Sequence, residues 1–258
     1  MGSGKATTKT ANFGREDEIL ALLCDNPDLS VSDMSKLAEV SEVTVRKMLD
    51  RLEAKGVIIR TRGKASPASH PEIISRQNYR AEEKNRIAKA AAALISDGDT
   101  VMINSSTTGV LIARYLMGKR GVRIVTNSTL ILPFARMNPL LHVTLVGAEF
   151  RPSTEALVGP LAIEMLQQYH ATYAFIGTAG FSAKIGVTAH VAEEAAVVKK
   201  LSERSDTTIL VTDSTKYGKP GFVCFLRMTD VDKVITDTGL DDTAKAELEE
   251  AGVEVVRV

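Results

Sequence analysis

The chain has 258 residues, 44% of them hydrophobic, with 32 basic and 32 acidic side chains, so its net charge is zero. That length suits one large domain or two smaller ones with an ordinary core, and a neutral chain can meet nucleic acid only through a local patch. Two far-separated cysteines, no CxxC or His/Cys cluster, no membrane-length apolar run and no tryptophan argue against a disulfide framework, a metal site, a membrane span and an aromatic sugar platform.

The first ten residues are small, polar and basic and lack the apolar stretch of a secretory signal, so a cytoplasmic protein is expected. The first helix is expected over about Arg15–Cys24, with Ile19, Leu20, Leu22 and Leu23 on its apolar face and Asn26-Pro27 ending it. Ser30, with Asp33 three residues on, reads as a capping box opening a second helix whose Met34, Leu37 and Ala38 face inward. Ser41 caps a third helix, in which Val45, Leu49 and Leu52 recur at core spacing and Gly56 is the stop. Val57-Ile58-Ile59 reads as a strand, with Arg60, Arg62 and Lys64 on the turn beyond it.

Helix, turn, helix and basic hairpin in this order form a winged helix-turn-helix, expected over residues 12–64. Arg46, Lys47, Arg51, Lys55, Arg60, Arg62 and Lys64 fall within 19 residues, against only Asp50 and Glu53. A solvated charged face is the plain alternative. The excess on helix plus wing favours duplex DNA as partner, with Ser41, Thr44, Arg46 and Lys47 entering the major groove and Arg51, Arg60, Arg62 and Lys64 on or near phosphates. Residues 65–80 hold two prolines and small residues without periodicity and are expected to be a linker.

From 81 to 258 helices alternate with short β-rich runs, at Thr100–Ile103, Val122–Val125, His142–Val146, Tyr173–Ile176, Thr208–Val211 and Lys233–Ile235. The expected fold class is therefore α/β, a doubly wound and mostly parallel sheet behind the winged helix. Most of these strands end in small, hydroxylic or glycine residues, at the edge where open α/β sheets bind ligands. Ser105-Ser106-Thr107-Thr108-Gly109, between a strand and an apolar helix, suits a phosphate, although no lysine follows as in a Walker loop. Asn104, Thr126 and Asn127 could bind a polyol or cap helices. Asp213 could accept sugar hydroxyls and Lys216 could pair with a phosphate, or the two could form a loop ion pair. Gly147 and Gly177 let backbone approach a ligand. Glu193 could bind the effector or simply favour its helix dipole, and His190 could line the pocket. Gly177-Thr178-Ala179-Gly180 lacks dinucleotide-fingerprint spacing. No catalytic constellation and no cofactor is expected.

Taken together these residues resemble the DeoR-type bacterial transcriptional regulators over about residues 14–258. The likeness rests on Ser41-Glu42-Val43-Thr44-Val45-Arg46 with Leu49, Leu52-Glu53, Gly56, Arg60 and Gly63. It continues in Glu83-Lys84, Asp97-Gly98-Asp99-Thr100, Thr107-Thr108, Thr126-Asn127-Ser128, Val158-Gly159-Pro160, Phe175-Ile176-Gly177, Gly186-Val187-Thr188, Glu193-Glu194-Ala195, Asp213-Ser214-Thr215-Lys216-Tyr217-Gly218 and Ile235-Thr236-Asp237. The resemblance implies a repressor, or sometimes an activator, of carbohydrate genes. It implies a sensor domain similar to ribose-5-phosphate isomerase, a phosphorylated sugar as effector, and a homodimer or homotetramer. Asn104 stands where the family usually has an acid, Ser105 for a glycine, Gly147-Ala148 for a double glycine, Met48 for an acid in the recognition helix, and Gly63-Lys64-Ala65 for two glycines and an alanine. Two other readings carry their own tests. A sugar-phosphate isomerase with an appended module would turn over pentose or hexose phosphates, and a protein-binding winged helix would lack salt-dependent duplex binding.

Overall fold

The capping signals and apolar spacing of the N-terminal segment close a three-helix unit with a wing. The computed structural model describes residues 15–26, 28–54, 58–61, 64–67 and 70–258. Helices α1 (Arg15–Asp25), α2 (Val31–Leu37) and α3 (Glu42–Ala54) precede strands β1 (Ile58–Thr61) and β2 (Lys64–Pro67). Ser30 Oγ accepts from the Asp33 N–H at 3.1 Å while the Asp33 carboxylate accepts from the Ser30 N–H at 3.3 Å, a reciprocal cap of the kind that contributes about 1 kcal/mol. The α2–α3 turn runs through Glu39 at φ 53°, and Ser35 closes it by donating from its hydroxyl to the Val40 carbonyl at 2.5 Å. Ile19, Leu23, Met34, Val45, Leu49, Leu52, Ile58 and Ala65 fill this core.

Three expectations are corrected here. Leu37 is 56% exposed, because the helix turns Met34 and Ala38 inward instead. Met48, expected to alter the DNA reading because it stands where the family has an acid, lies in the core. Residues 65–80 are more than a linker: β2 pairs antiparallel with β1 from Ile58↔Pro67 to Thr61↔Lys64, and Pro71–Asn78 forms helix α4. Ala65 packs into the core, and the Pro67 end of β2 lies on a two-stranded ribbon where no central strand is interrupted. The contacts divide the chain into two units between Ile74 and Ser75, within α4. Lys55, Gly56, Val57, Arg62 and Gly63 lie outside the described residues.

In the second unit α5 (Ala81–Ala92) leads into β3 (Thr100–Ile103), β4 (Arg123–Thr126), α6 (Leu132–Met137), β5 (His142–Leu145), β6 (Glu149–Arg151), β7 (Ala156–Val158) and α7 (Pro160–Leu166). Then come β8 (Ala171–Ile176), β9 (Gly180–Ser182), β10 (Gly186–Ala189), α8 (Ala192–Glu203), β11 (Ser205–Val211), β12 (Val223–Leu226), β13 (Lys233–Thr236), α9 (Asp242–Glu250) and β14 (Glu254–Arg257). The central sheet has seven strands in the order β14-β13-β11-β8-β3-β4-β5, paired in parallel throughout. Alternate strand residues supply two cores. Met102, Val125, Ala174, Leu210 and Val234 pack on one face with residues of α7, α8 and α9, and Val101, Ile103, Ile124, Phe175, Ile209 and Ile235 pack on the other with α5.

The segment after the hydroxylic loop, Gly109–Leu116, is a 3-10 helix. Val110, Ala113 and Leu116, three apart, are all buried, which matches three residues per turn. Two antiparallel elements went unforeseen: the β6–β7 hairpin and the three-stranded sheet β12-β10-β9. Strand order reverses between β3 and β8, the switch point at which such sheets open a crevice.

Candidate nucleic-acid interface and effector site

On α3 the exposed positions Val43, Arg46, Lys47 and Asp50 fall at helical i, i+3, i+4 and i+7 spacing. Ser41 Oγ accepts the Thr44 N–H at 3.2 Å and shares a 2.8 Å hydrogen bond with the Thr44 hydroxyl, capping the helix at its exposed start. Arg46 pairs with Glu42 at 2.7 Å and Arg51 with Glu16 at 3.3 Å; Arg60 bonds Asp50 and stands 3.8 Å from Glu53. Solvent-exposed pairs of this kind contribute about 0–1 kcal/mol, so a phosphate can replace the carboxylate at little cost. Val43, missed in the sequence, adds an exposed apolar group able to meet a thymine methyl. Arg62 lies outside the described residues, and of Lys64 only the backbone is described, in β2.

At the switch point the loops after β4, β3, β8, β11 and β13 lie side by side. Asn104 joins two of them. Its Oδ1 accepts the Gly177 N–H at 2.8 Å and its Nδ2 donates to the Gly177 carbonyl at 3.3 Å. An ionised acid could not donate the second bond, which the amide supplies at any pH. Asn127 Oδ1 accepts the Ser105 N–H at 3.1 Å and its Nδ2 donates to the Leu157 carbonyl at 3.1 Å. Thr126 Oγ1 donates to the Ile103 carbonyl at 2.6 Å. Ser106 Oγ accepts the Gly109 N–H at 2.7 Å. These four side chains therefore build the loops. Among the described residues no protein partner engages the hydroxyls of Ser105, Thr107 and Thr108 or the N–H groups of Thr107 and Thr108, all in buried residues. Such donors suit an anion.

Gly177 is a steric requirement: a Cβ there would stand 2.3 Å from Ser106 Cβ. Beside it, Lys216 Nζ donates to the Thr178 carbonyl at 2.6 Å. Burial lowers the Lys216 pKa, Asp213 opposes that, and Arg76 adds to it. Asp213 is fully buried; one carboxylate oxygen accepts from Thr215, and the other, Oδ2, has no partner among the described residues. The loop 104–109, Thr126, Asn127, Gly177, Asp213 and Lys216 are thus brought to one edge of the sheet.

Two expected residues do not join that network. Gly147 is exposed and gives its N–H to Met165 Sδ at 3.2 Å. Glu193 faces Arg151 at 3.7 Å, beside Glu194, which accepts from the Thr154 hydroxyl at 2.7 Å; they tie the start of α8 to the end of β6 and to the loop joining β6 and β7.

Sequence reasoning also missed Arg80, Lys84 and Asp237. Asp237 accepts from Ser214 N at 2.7 Å, Ser214 Oγ at 2.9 Å, Gly239 N at 3.0 Å and Arg80 at 2.8 Å. Burial raises its pKa, but these bonds and the guanidinium prevail and lower it. Arg80 also stands 3.1 Å from Glu83 and 4.0 Å from Asp213. Lys84 is 2% exposed; burial first and the Lys216 charge second bring its pKa down to about 8, against the pull of Asp213. Its signal was available: Lys84 shares the i, i+3, i+4, i+7 stripe of α5 with Ile87, Ala88 and Ala91.

Among the described residues no cluster could hold a metal ion, and no helix is long and apolar enough to cross a membrane. The family model described as the DeoR-like helix-turn-helix domain matches residues 15–70, and that described as the DeoR C terminal sensor domain matches residues 79–238. The chain is 32% identical over 223 residues to the transcriptional repressor GlcR of Bacillus subtilis, covering 85% of this chain and 86% of that one. It is 31% identical over 248 residues to the regulator GlpR of Haloferax volcanii (94% and 96% covered) and 29% identical over 255 residues to a putative aga operon transcriptional repressor of Escherichia coli O157:H7 (96% and 95%). Ribose 5-phosphate isomerase A of Methanocaldococcus jannaschii aligns with 54% of this chain and 55% of its own at 16% identity and a TM-score of 0.41, a likeness too slight to bear on activity.

Proposed function

The chain belongs to the DeoR family of transcriptional regulators, and on that premise we propose that it represses carbohydrate genes and that a phosphorylated sugar bound at the switch point sets its hold on operator DNA. The observation that carries the effector reading is the set of donors without protein partners on loop 105–108 beside Lys216. A phosphate takes those N–H groups and hydroxyls, and its charge compensates an ammonium that burial disfavours. Asp213 Oδ2, buried and without a partner, accepts a sugar hydroxyl. The names of the aga operon and GlcR repressors support a repressive role.

On the DNA side, Ser41, Val43, Thr44, Arg46 and Lys47 face base edges, and Arg51, Arg60, Arg62 and Lys64 meet phosphates. A homodimer or homotetramer in the cytoplasm presents two such helices to a palindromic site. On this reading the sensor binds its sugar phosphate without turning it over: Asn104 is an amide and no base, Asp237 is held by its hydrogen bonds and Arg80, and Asp213 is assigned to a sugar hydroxyl.

A thermal-shift screen tests this reading, because a ligand that binds the native state raises its melting temperature. Phosphorylated sugars should raise it and the parent sugars should not. A shift that survives both Lys216→Ala and Thr107→Val would misplace the pocket, and turnover of a sugar phosphate would revive the isomerase reading.

A further inference from the structure

Helix α4 ends at Asn78, and the last carbonyls of a helix lack intrahelical partners. Here they are met by a side chain from the next helix. Lys84 Nζ donates to the Tyr79 carbonyl at 2.5 Å and to the Arg76 carbonyl, and lies 5.8 Å from the centroid of the Tyr79 ring. A cation at a helix C-terminus also meets the negative end of the helix dipole. The turn that follows is tightly specified. Arg80 adopts a left-handed conformation, φ 52° and ψ 44°, and is held by Asp237 and Glu83. Its Nε is buried without a hydrogen-bond partner.

The same ammonium belongs electrostatically to the effector site. Lys84 and Lys216 repel one another, Asp213 attracts both, and Asp213 Oδ2 is unpaired. Arg80, in the turn that Lys84 holds, stands 4.0 Å from Asp213, which sets this turn beside the Lys216 loop. Lys84, buried, and Lys216, half-buried, therefore both draw on Asp213, and an anion placed beside Lys216 relieves the repulsion that Lys84 feels. A lysine with less repulsion to bear holds the α4 carbonyls more firmly.

We propose that Lys84 is a positioning residue that couples the effector site to helix α4: an anion bound beside Lys216 tightens the grip of Lys84 on the Arg76 and Tyr79 carbonyls and so steadies the helix through which the chain enters the DNA-binding unit. This rests on the effector reading above and adds the residue that transmits it. Energetic coupling needs an element that both sites bias, and here that element is the last turn of α4.

The test uses the full chain with inorganic phosphate as probe, read by melting temperature and by amide hydrogen exchange of a peptide spanning residues 75–82. In the wild type, phosphate should raise the melting temperature and slow exchange of this peptide at least about fivefold, the low end of ordinary coupling. In Lys84→Met the melting shift should persist but shrink by the reciprocal of that coupling, and the slowing should vanish; Lys84→Arg should restore both, because a merely structural lysine would not make the slowing depend on phosphate. Wild-type protein stabilised by phosphate but unchanged in peptide exchange overturns the coupling, as does slowing that persists in Lys84→Met. Loss of the melting shift in Lys84→Met reassigns Lys84 to binding. No melting shift in the wild type overturns the pocket itself and not merely its relay. If Lys84→Met fails to fold, the wild-type exchange result still decides.

Discussion

Asn104→Asp is an isosteric change whose cost can be worked from two distances. Asn104 is buried, accepting from Gly177 N at 2.8 Å and donating to Gly177 O at 3.3 Å. The carboxylate keeps the first bond, loses the second and sets two acceptors face to face. Leaving the buried carbonyl without its donor and adding a charge costs about 2–3 kcal/mol at neutral pH. For a unit of this size that lowers the melting temperature by roughly 4–12 °C. Protonation of the new carboxyl restores a donor toward Gly177 O, so its folded-state pKa lies above its unfolded value. The folded protein then binds more protons in the window between the two, and the deficit shrinks as pH falls through it. Melting curves of wild type, N104D and N104A across the acid range read this directly. N104D should approach the wild type on acidification, whereas N104A should stay at a constant deficit. An N104D variant as stable as the wild type at neutral pH, or with a deficit indifferent to pH, would refute the bridging role of Asn104.

Three further outcomes follow from the same geometry. Gly177→Ala sets a Cβ 2.3 Å from Ser106 Cβ and should destabilise the sensor unit by about 1–3 kcal/mol while abolishing effector-induced stabilisation; thermal melts with and without sugar phosphate check both, and a neutral substitution would contradict the packing. Arg46→Ala should weaken operator binding by about 1–3 kcal/mol in gel-shift titrations yet leave stability within about 0.5 kcal/mol, its pair with Glu42 being exposed; unchanged affinity would remove Arg46 from the interface. Lys84, held at about 8 against the ordinary 10.5, binds a proton in the unfolded chain that the folded chain releases between those values, so its contribution makes stability rise with pH from about 8 upward. The groups around it are Lys216, Asp213, Arg76 and Glu83. The displacement corresponds to about 3 kcal/mol. Denaturant titrations below pH 10, before Tyr217, pushed up to about 12, begins to titrate, should lose part of the alkaline rise in Lys84→Met, and an unchanged slope would contradict the assignment.

Local signals carried the winged helix well. Ser30 and Asp33 announce a capping box that is present, and Val45, Leu49 and Leu52 announce a core that is buried. Leu37 misled because one apolar residue beside the stripe looks like part of it until the helix is rotated into place. Residues 64–67 and 71–78 were illegible as strand and helix, because proline and small residues mask a short ribbon whose stability comes from packing Ala65 and Ile74 into the first core. The parallel sheet was legible from alternating segments, but the antiparallel β12-β10-β9 sheet was not: its strands are three or four residues long, too short to show alternation. In the site, residue type pointed to the right loops but not to roles. Asn104, Thr126 and Asn127 spend their hydrogen bonds on the Gly177 loop, β3 and β7, a fact that only tertiary pairing reveals. Arg80 and Asp237 stand 157 positions apart and meet across the fold, beyond the reach of any local pattern.

The central claim is that an anion at the switch point controls the winged helix. Its most direct measurement is the affinity of the full chain for its operator duplex at fixed salt, with and without each of a panel of phosphorylated sugars, in the wild type and in Lys216→Ala. At least one phosphorylated sugar should change wild-type affinity by roughly 5- to 150-fold, its parent sugar should not, and Lys216→Ala should bind the duplex normally without responding. Wild-type affinity indifferent to every phosphorylated sugar, or a full response in Lys216→Ala, would contradict it.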